Sequence, residues 1–302
     1  MVCYHPKQGI FEEKLTPNGK HLIKFSKHLI KNNKHQEVLL IPCGQCQGCR
    51  LDKSIEWAVR CLHEKELHEK TSYVTLTYNK ENLPKNGSLY YKDFQDFMMR
   101  LRSKKRGQTI RMFMCGEYGD KLERPHYHAI LFGYNPEDQE PYKDYGNYQL
   151  YKSEELRKIW KNGHVTVGEA NFSSIAYVAR YIFKKVNGTK AKMHYQGKIP
   201  EFTQQSRRPG IAGDWYKHYK NDIWATDRDI YKTTEGDYKQ VKVSRYFDKM
   251  LEKEDPKAHE KIKETRKRTI KDYDRHFKEL SKAELQKIKT LKKLYRNFDE
   301  ID

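Results

Sequence analysis

"RPHYHAILF", Arg124 to Phe132, sets two histidines one residue apart and follows them with a wholly apolar run. In a strand, residues i and i+2 share a face, so His126 and His128 project together while Tyr127 points the other way. On a helix the same spacing would turn them about 200° apart. The apolar run behind them favours the strand, and this reading decides the fold around it.

On either side the pattern continues. "TIRMFMCGEYG" reads as the preceding strand, and "SYVTLTY", alternating and rich in β-branched and aromatic residues, as an earlier one. "LDKSIEWAVRCLHEKELHEK" reads as a helix with Ile55, Val59, Leu62 and Leu67 on one stripe. "YKDFQDFMMRLRSKK" is a second, with Phe94, Phe97, Met98 and Leu101 at helical spacing. Gly133 to Tyr148 reads as a loop. "SEELRKIW" then looks like a helix capped by Ser153, "GHVTVGEA" a short strand and "SSIAYVARYIFKKV" a compact helix. The order predicts an α+β domain with a mainly antiparallel sheet over roughly residues 50–190.

Outside that core the signals weaken. The first 40 residues are polar and irregular until the strand-like "EVLLIP". "QQSRRPGIAGDWYKHY" reads as a basic, aromatic loop region. From Asp255 the chain is intensely charged, with narrow stripes at Tyr273, Phe277 and Leu280 and at Leu285, Ile288 and Leu291, as in a helical hairpin or a partly disordered tail. The expected division is a Cys-rich segment over 1–50, a catalytic domain over 51–215 and a basic, mostly helical region over 216–302.

Among 302 residues, 60 are Lys or Arg and 41 Asp or Glu, a formal net charge of +19. Such a surplus points to a polyanionic partner, and nucleic acid gains affinity through phosphate neutralisation and counterion release. The 22 Tyr, 12 Phe and 4 Trp add faces on which unpaired bases could stack. No segment approaches the ~20 apolar residues of a membrane span. The N-terminus lacks the apolar stretch of a signal peptide. The expectation is a cytosolic protein whose six cysteines are thiols or metal ligands rather than disulfides.

Two aligned imidazoles can bind a divalent metal if a third ligand joins them. Glu117 ends the preceding strand, and the short polar connection "YGDKLERP" would return the chain beside it. Satisfied or surface histidines explain the pair as well. A further element is "YVARYIFKK": Tyr177 and Tyr181, at i and i+4, share a helix face with Cβ atoms about 6 Å apart. Lys185 continues that face, with Arg180 and Lys184 beside it. Tyrosines at this spacing commonly pack in a core. Beside cations and a metal they could instead attack a phosphate.

Together "TLTYN", "GEYGDKLERPHYHAILFG" and "YVARYIFKK" resemble the HUH endonucleases that begin rolling-circle replication. More closely, the chain resembles the replication initiators of small single-stranded DNA phages of the microvirus family, gokushovirus type, from Met1 to about residue 215. The resemblance implies an HUH fold, a ferredoxin/RRM-like antiparallel sheet with flanking helices. It implies that Glu117, His126 and His128 hold Mg²⁺ or Mn²⁺; imidazole ligands favour Mn²⁺ of the two. It further implies that Tyr177 or Tyr181 attacks DNA to leave a 5′-phosphotyrosine and a free 3′-OH, with Lys184 and Lys185 assisting. The implied partners are phage DNA, single-stranded and replicative, at its origin, and a host helicase and polymerase. The implied setting is the host bacterial cytoplasm, with no membrane partner. A plasmid or transposon HUH nickase and a non-catalytic zinc-containing nucleic-acid-binding protein are the rival readings.

Cys43, Cys46 and Cys49 form C-x2-C-x2-C, with Gly44 and Gly48 easing a tight turn. Structural zinc takes four ligands. Cys3 is the expected fourth, with His5 behind it; the resembling phage proteins carry a similar N-terminal cysteine. Free thiols and an iron–sulfur cluster stay open as alternatives. Cys61 is expected on a helix stripe and Cys115 inside the sheet. Arg100, Arg102, Lys104, Lys105 and Arg106, with Arg180, Arg207 and Arg208, are the cations expected to hold DNA phosphates.

Overall fold

Alternation of side chains around the histidines does produce strands. In a computed structural model, the structure describes residues 3–17, 19, 21–25, 38–119, 122–146, 148–180, 185–186, 190–233, 235–269 and 277–292. In chain order the elements begin with β1 (Lys7–Leu15), β2 (His21–Phe25), β3 (Leu39–Ile41), α1 (Gln47–Glu66), β4 (Thr71–Tyr78) and α2 (Tyr91–Lys104). There follow β5 (Arg111–Tyr118), β6 (Pro125–Phe132), β7 (Gln139–Asp144), β8 (Gln149–Ser153), α3 (Glu154–Trp160), β9 (Gly163–Glu169) and α4 (Phe172–Arg180). The last are α5 (Lys190–Tyr195), β10 (Phe202–Gln205), α6 (Gly213–Thr226), β11 (Arg228–Lys232), β12 (Tyr238–Lys242), α7 (Arg245–Glu254), α8 (Pro256–Thr269) and α9 (Phe277–Lys292).

The chain divides into two units, one of Met1–Lys53 with Lys271–Glu300, the other mainly Ser54–Ile270. In the larger unit seven strands form one sheet in the order β10-β5-β6-β4-β9-β8-β7, every neighbouring pair antiparallel. With helices packed on it, this is the expected α+β architecture.

One face of the sheet carries the main core. Val74, Leu76 and Tyr78 of β4, Tyr127, Ala129 and Leu131 of β6, and Met112 and Met114 of β5 pack on Phe94, Phe97, Met98 and Leu101 of α2 and Leu156, Ile159 and Trp160 of α3. The predicted spacing of α2 is thus its buried stripe. Ser153 caps α3 as expected, its hydroxyl accepting the Leu156 N–H at 3.1 Å. Gly133 ends β6 at φ +82°, where a Cβ would stand 2.4 Å from the Thr109 carbonyl, so only glycine fits.

Residues offset by one occupy the opposite face: Phe113, Cys115 and Glu117 of β5, His126, His128 and Ile130 of β6, and Tyr73, Thr75 and Thr77 of β4. Helix α4 lies against β5 and β6. Trp57 of α1 stacks on Phe113 with ring centroids 5.0 Å apart.

Helix α1 departs from its expected stripe. Val59 is buried, but Leu67 lies beyond the helix end and is exposed, whereas Arg60, His63 and Glu64 are buried. Each has a partner that repeats of apolar residues cannot reveal. Arg60 donates to the Ile211 carbonyl from Nε at 3.2 Å and Nη2 at 2.9 Å, its guanidinium between the rings of Trp57 and Tyr246, 4.2 Å from each. His63 pairs with Asp229, and Glu64 accepts the Ala212 N–H at 2.6 Å and pairs with Arg111. Cys61 and Cys115 are fully buried on helix and strand, as expected.

Other departures concern weakly patterned segments. The expected loop before Tyr148 contains β7, a polar edge strand with Pro141 in it, whose exposed side chains leave no alternation to read. The basic loop region contributes β10, four residues long and too short for a period, and leads into α6. There Ala212, Trp215, Tyr216, Ile223, Val243 and Phe247 form a second core cluster. The polar N-terminal stretch forms the β1–β2 hairpin, with most of its side chains exposed. In the charged C-terminal part α8 and α9 are helical; Leu280 is buried and Leu285 exposed, and Tyr273 lies outside the described residues. Among the described residues no helix is long and apolar enough to cross a membrane.

Candidate active site

Antiparallel pairing puts Glu117 directly opposite His126 and Cys115 opposite His128. The connection expected to return the chain closes tightly, the Gly119 N–H donating to the Arg124 carbonyl at 3.0 Å. Directly opposed residues share a face, so the carboxylate and both imidazoles converge. Glu117 Oε1 stands 2.7 Å from His126 Nε2 and 3.1 Å from His128 Nε2. The two imidazole rings meet edge to face, 4.8 Å between centroids.

The far nitrogen of each ring is held. His126 Nδ1 lies 3.0 Å from the Arg124 carbonyl, which has no proton to give, so Nδ1 is the donor. Nε2 is thereby the nitrogen turned to the cluster. His128 Nδ1 lies 2.7 Å from the Tyr73 hydroxyl and 2.9 Å from Thr75 Oγ1, both from β4 on the other side of β6. Outer contacts of this kind orient imidazoles that ligate metals. Burial alone would push the Glu117 carboxyl up, but the imidazoles of His126 and His128 overcome it and hold it well below the usual carboxylate range.

One ligand atom from each of Glu117, His126 and His128 lies within 4.8 Å of the other two. Two oriented Nε2 atoms and one anionic oxygen are a set a divalent cation fits, and three protein ligands leave positions for water or a phosphate oxygen. The ring of Tyr177, on α4, meets His128 edge-on at 5.3 Å between centroids and is 5% exposed. The first tyrosine of the pair thus stands against the metal-competent cluster. Tyr181 and Lys184 lie outside the described residues. Arg180 is half-buried at the end of α4, and Lys185 is exposed.

The basic residues differ among themselves. Arg100 donates to the Ile159 carbonyl at 2.8 Å, and Arg102 to that of Ile110 at 3.1 and 2.9 Å. Lys104 and Lys105 face Glu155 at 3.4 and 2.9 Å. Arg106 and Arg208 are exposed, and so is Arg207, which donates to the Gln204 side chain at 3.2 Å. Tyr73 and Thr75 are the site residues that sequence reasoning missed. Alternation in "SYVTLTY" puts them on one face, but nothing local says that β4 is the strand beside the histidines.

In the smaller unit Cys3, Cys43, Cys46 and Cys49 come together, their sulfurs within 4.8 Å of one another.

Fold and site define an α+β protein with a metal-competent carboxylate–imidazole cluster on an antiparallel sheet, under a tyrosine-bearing helix. The chain belongs to the family of phage replication-associated proteins. The family model for the replication-associated protein ORF2 matches residues 71–186, from the start of β4 through Glu117, His126, His128 and Tyr177. The replication-associated protein ORF2 of Spiroplasma virus 4 is 35% identical over 242 residues, which cover 76% of this chain and 74% of that protein. VP4 of Bdellovibrio phage phiMH2K is 32% identical over 192 residues, 61% of this chain and 60% of its own. ORF4 of Chlamydia phage 1 is 39% identical over 153 residues, 48% of this chain and 38% of its own. The match therefore spans less than two thirds of the Bdellovibrio and Chlamydia phage proteins. No solved structure matches the chain significantly.

Proposed function

We propose that this protein nicks and rejoins single-stranded phage DNA at a replication origin and so starts rolling-circle replication. The observation that carries the proposal is the position of Tyr177, a nucleophile on α4 whose ring lies against His128 of the cluster. Glu117, His126 and His128 would hold one divalent ion, Mn²⁺ or Mg²⁺. When bound, such an ion supplies positive charge to polarise a phosphate and to favour the phenolate of a tyrosine whose usual pKa is about 10.

The chain's own groups do the rest. The tyrosyl Oη attacks phosphorus as the bond to the 3′ oxygen breaks. The products are a 5′-phosphotyrosine and a free 3′-OH that a host polymerase can extend, a host helicase opening the duplex ahead. One phosphodiester replaces another, so no ATP is consumed. Tyr181, one helical turn on in the sequence, would cleave the regenerated origin while the new 3′-OH attacks the first link and releases a circle. Arg180, Lys184 and Lys185 would stabilise the charge that develops on the phosphate. Exposed Arg106, Arg207 and Arg208 are suited to holding the DNA backbone, as Arg100, Arg102, Lys104 and Lys105 are only if their present contacts open. This work would take place in the cytoplasm of the bacterial host.

The test is covalent trapping. Full-length protein is incubated with labelled single-stranded fragments of the cognate genome and Mn²⁺, and denaturing gels are read for a protein–DNA adduct. An adduct that needs the metal and vanishes in Tyr177→Phe/Tyr181→Phe establishes the mechanism. Binding without any adduct, with either metal, hands the protein to the non-catalytic reading.

A further inference from the structure

The smaller unit has almost no apolar interior. Among its described residues only Gly9, Cys46, Gly48 and Leu280 are buried, while Phe11, Leu15, Leu22, Ile23, Phe25 and Leu40 are exposed. A three-stranded meander without a buried face is marginal in water. What occupies its centre is sulfur. Cys46 Sγ lies 3.9 Å from Cys3 Sγ, and the thiols of Cys43 and Cys49 complete a group within 4.8 Å. With Zn–S bonds of ~2.3 Å, the edge of a regular ZnS₄ tetrahedron is about 3.8 Å. Four sulfurs on one mononuclear ion require that spacing; an iron–sulfur cluster spreads its thiolates over separate irons.

The backbone is arranged for thiolates. The Tyr4 N–H donates to Cys46 Sγ at 3.3 Å and the Cys43 N–H to Cys3 Sγ at 3.2 Å. Cys43 Sγ accepts from the N–H groups of both Gln45 and Cys46, at 3.4 and 3.3 Å. Gly44 makes this turn possible at φ +72°. Amides aimed at sulfur offset the −2 charge of a zinc tetrathiolate, as outer contacts do in metal sites generally. The residues next to two of the cysteines are also held. Glu284 of α9 stands with Oε2 2.5 Å from His5 Nε2, while its Oε1 accepts the Gln47 N–H at 3.2 Å.

We infer that Cys3, Cys43, Cys46 and Cys49 bind one structural Zn²⁺ that substitutes for a hydrophobic core in this unit, and that Glu284 fastens α9 onto the loaded cysteine loops. Zinc displaces the thiol protons to solvent and cross-links two segments some forty residues apart, so its binding energy becomes folding energy. The inference is independent of the nicking chemistry, since no cysteine of this group lies in the tyrosine site.

The experiment uses full-length protein carrying His126→Ala and His128→Ala, so that the other cluster holds no metal. The expected result is one zinc per chain after desalting, by mass spectrometry, with Co²⁺ exchange giving thiolate charge-transfer bands and tetrahedral ligand-field bands. Cys3→Ser with Cys46→Ser should abolish both. Zinc removal should speed amide exchange about tenfold in Lys7–Leu15 and Phe277–Lys292 and leave β5 and β6 unchanged. Glu284→Gln should keep the zinc and speed exchange in α9 alone. Absence of bound metal, iron in its place, or cobalt without thiolate bands overturns the site. Unchanged α9 exchange on zinc removal overturns the fastening role of Glu284.

Discussion

The Tyr73 hydroxyl stands 2.7 Å from Nδ1 of His128, the nitrogen turned away from the metal-competent cluster. With Thr75 Oγ1 at 2.9 Å it holds the ring so that Nε2 points at Glu117. Outer partners of ligating histidines typically govern about 10- to 100-fold in metal affinity. Because each hydroxyl backs up the other, Tyr73→Phe or Thr75→Val alone should weaken Mn²⁺ binding by about tenfold and the double variant by about a hundredfold. Calorimetric titration checks this, and an unchanged affinity in the double variant sinks the orienting role.

Tyr177 packs its ring edge-on against His128. Tyr177→Phe keeps that ring and removes only the hydroxyl. If the residue were merely structural, the change would cost about 1 kcal/mol of stability and little else. As a nucleophile, its loss should lower first-turnover adduct formation by about a thousandfold or more while the melting temperature scarcely moves. Parallel single-turnover gels and thermal melts separate the two outcomes.

His63 Nε2 lies 2.7 Å from Asp229 Oδ1, with both side chains almost wholly buried and the imidazole stacked on Trp215 at 3.6 Å. Burial pulls the His63 pKa down; the Asp229 carboxylate, with Glu66 at 3.8 Å, outweighs it and leaves the pKa raised. A raised folded pKa contributes stability that is complete below the usual imidazole value of about 6.5 and is lost as pH rises through the folded value. Urea unfolding should therefore show declining stability from pH 6 toward pH 9 through this pair. Asp229→Asn should cost about 3 kcal/mol at pH 6 and less at pH 9, which would flatten the profile.

Trp160 is fully buried between α2 and the sheet, its rings near Tyr78, Phe97 and Tyr127, and its Nε1–H donates to the Thr77 carbonyl at 3.2 Å. Trp160→Ala should destabilise the larger unit by about 4 kcal/mol through the cavity it leaves. Trp160→Phe should cost about 2 kcal/mol, largely for the unpaired carbonyl. Equal losses in denaturant unfolding would show that the hydrogen bond contributes nothing.

Most of the site was legible because it is local. Spacing of two along "HYH" put both imidazoles on one strand face, and a short hairpin could bring only the end of β5, with Glu117, beside them. The same reasoning located the α2 stripe and the Ser153 cap. It failed on α1, where Arg60, His63 and Glu64 sit inside because distant groups pair with them: Ile211, Asp229, Ala212 and Arg111. A stripe of apolar residues cannot report that compensation.

The sequence by itself determined which chemical groups this protein carries and how neighbours along each strand or helix face, since i+2 and i+4 periodicities are properties of the backbone. It also held the three clustered cysteines in a turn that glycine permits. Only the tertiary structure decided that β4 flanks β6 and lends Tyr73 and Thr75 to His128, that α4 sets Tyr177 against that ring, and that Cys3 meets Cys43, Cys46 and Cys49. These are pairings between segments far apart in the chain. They depend on the free energy of the whole sheet and its packing, a quantity that no local stretch contains.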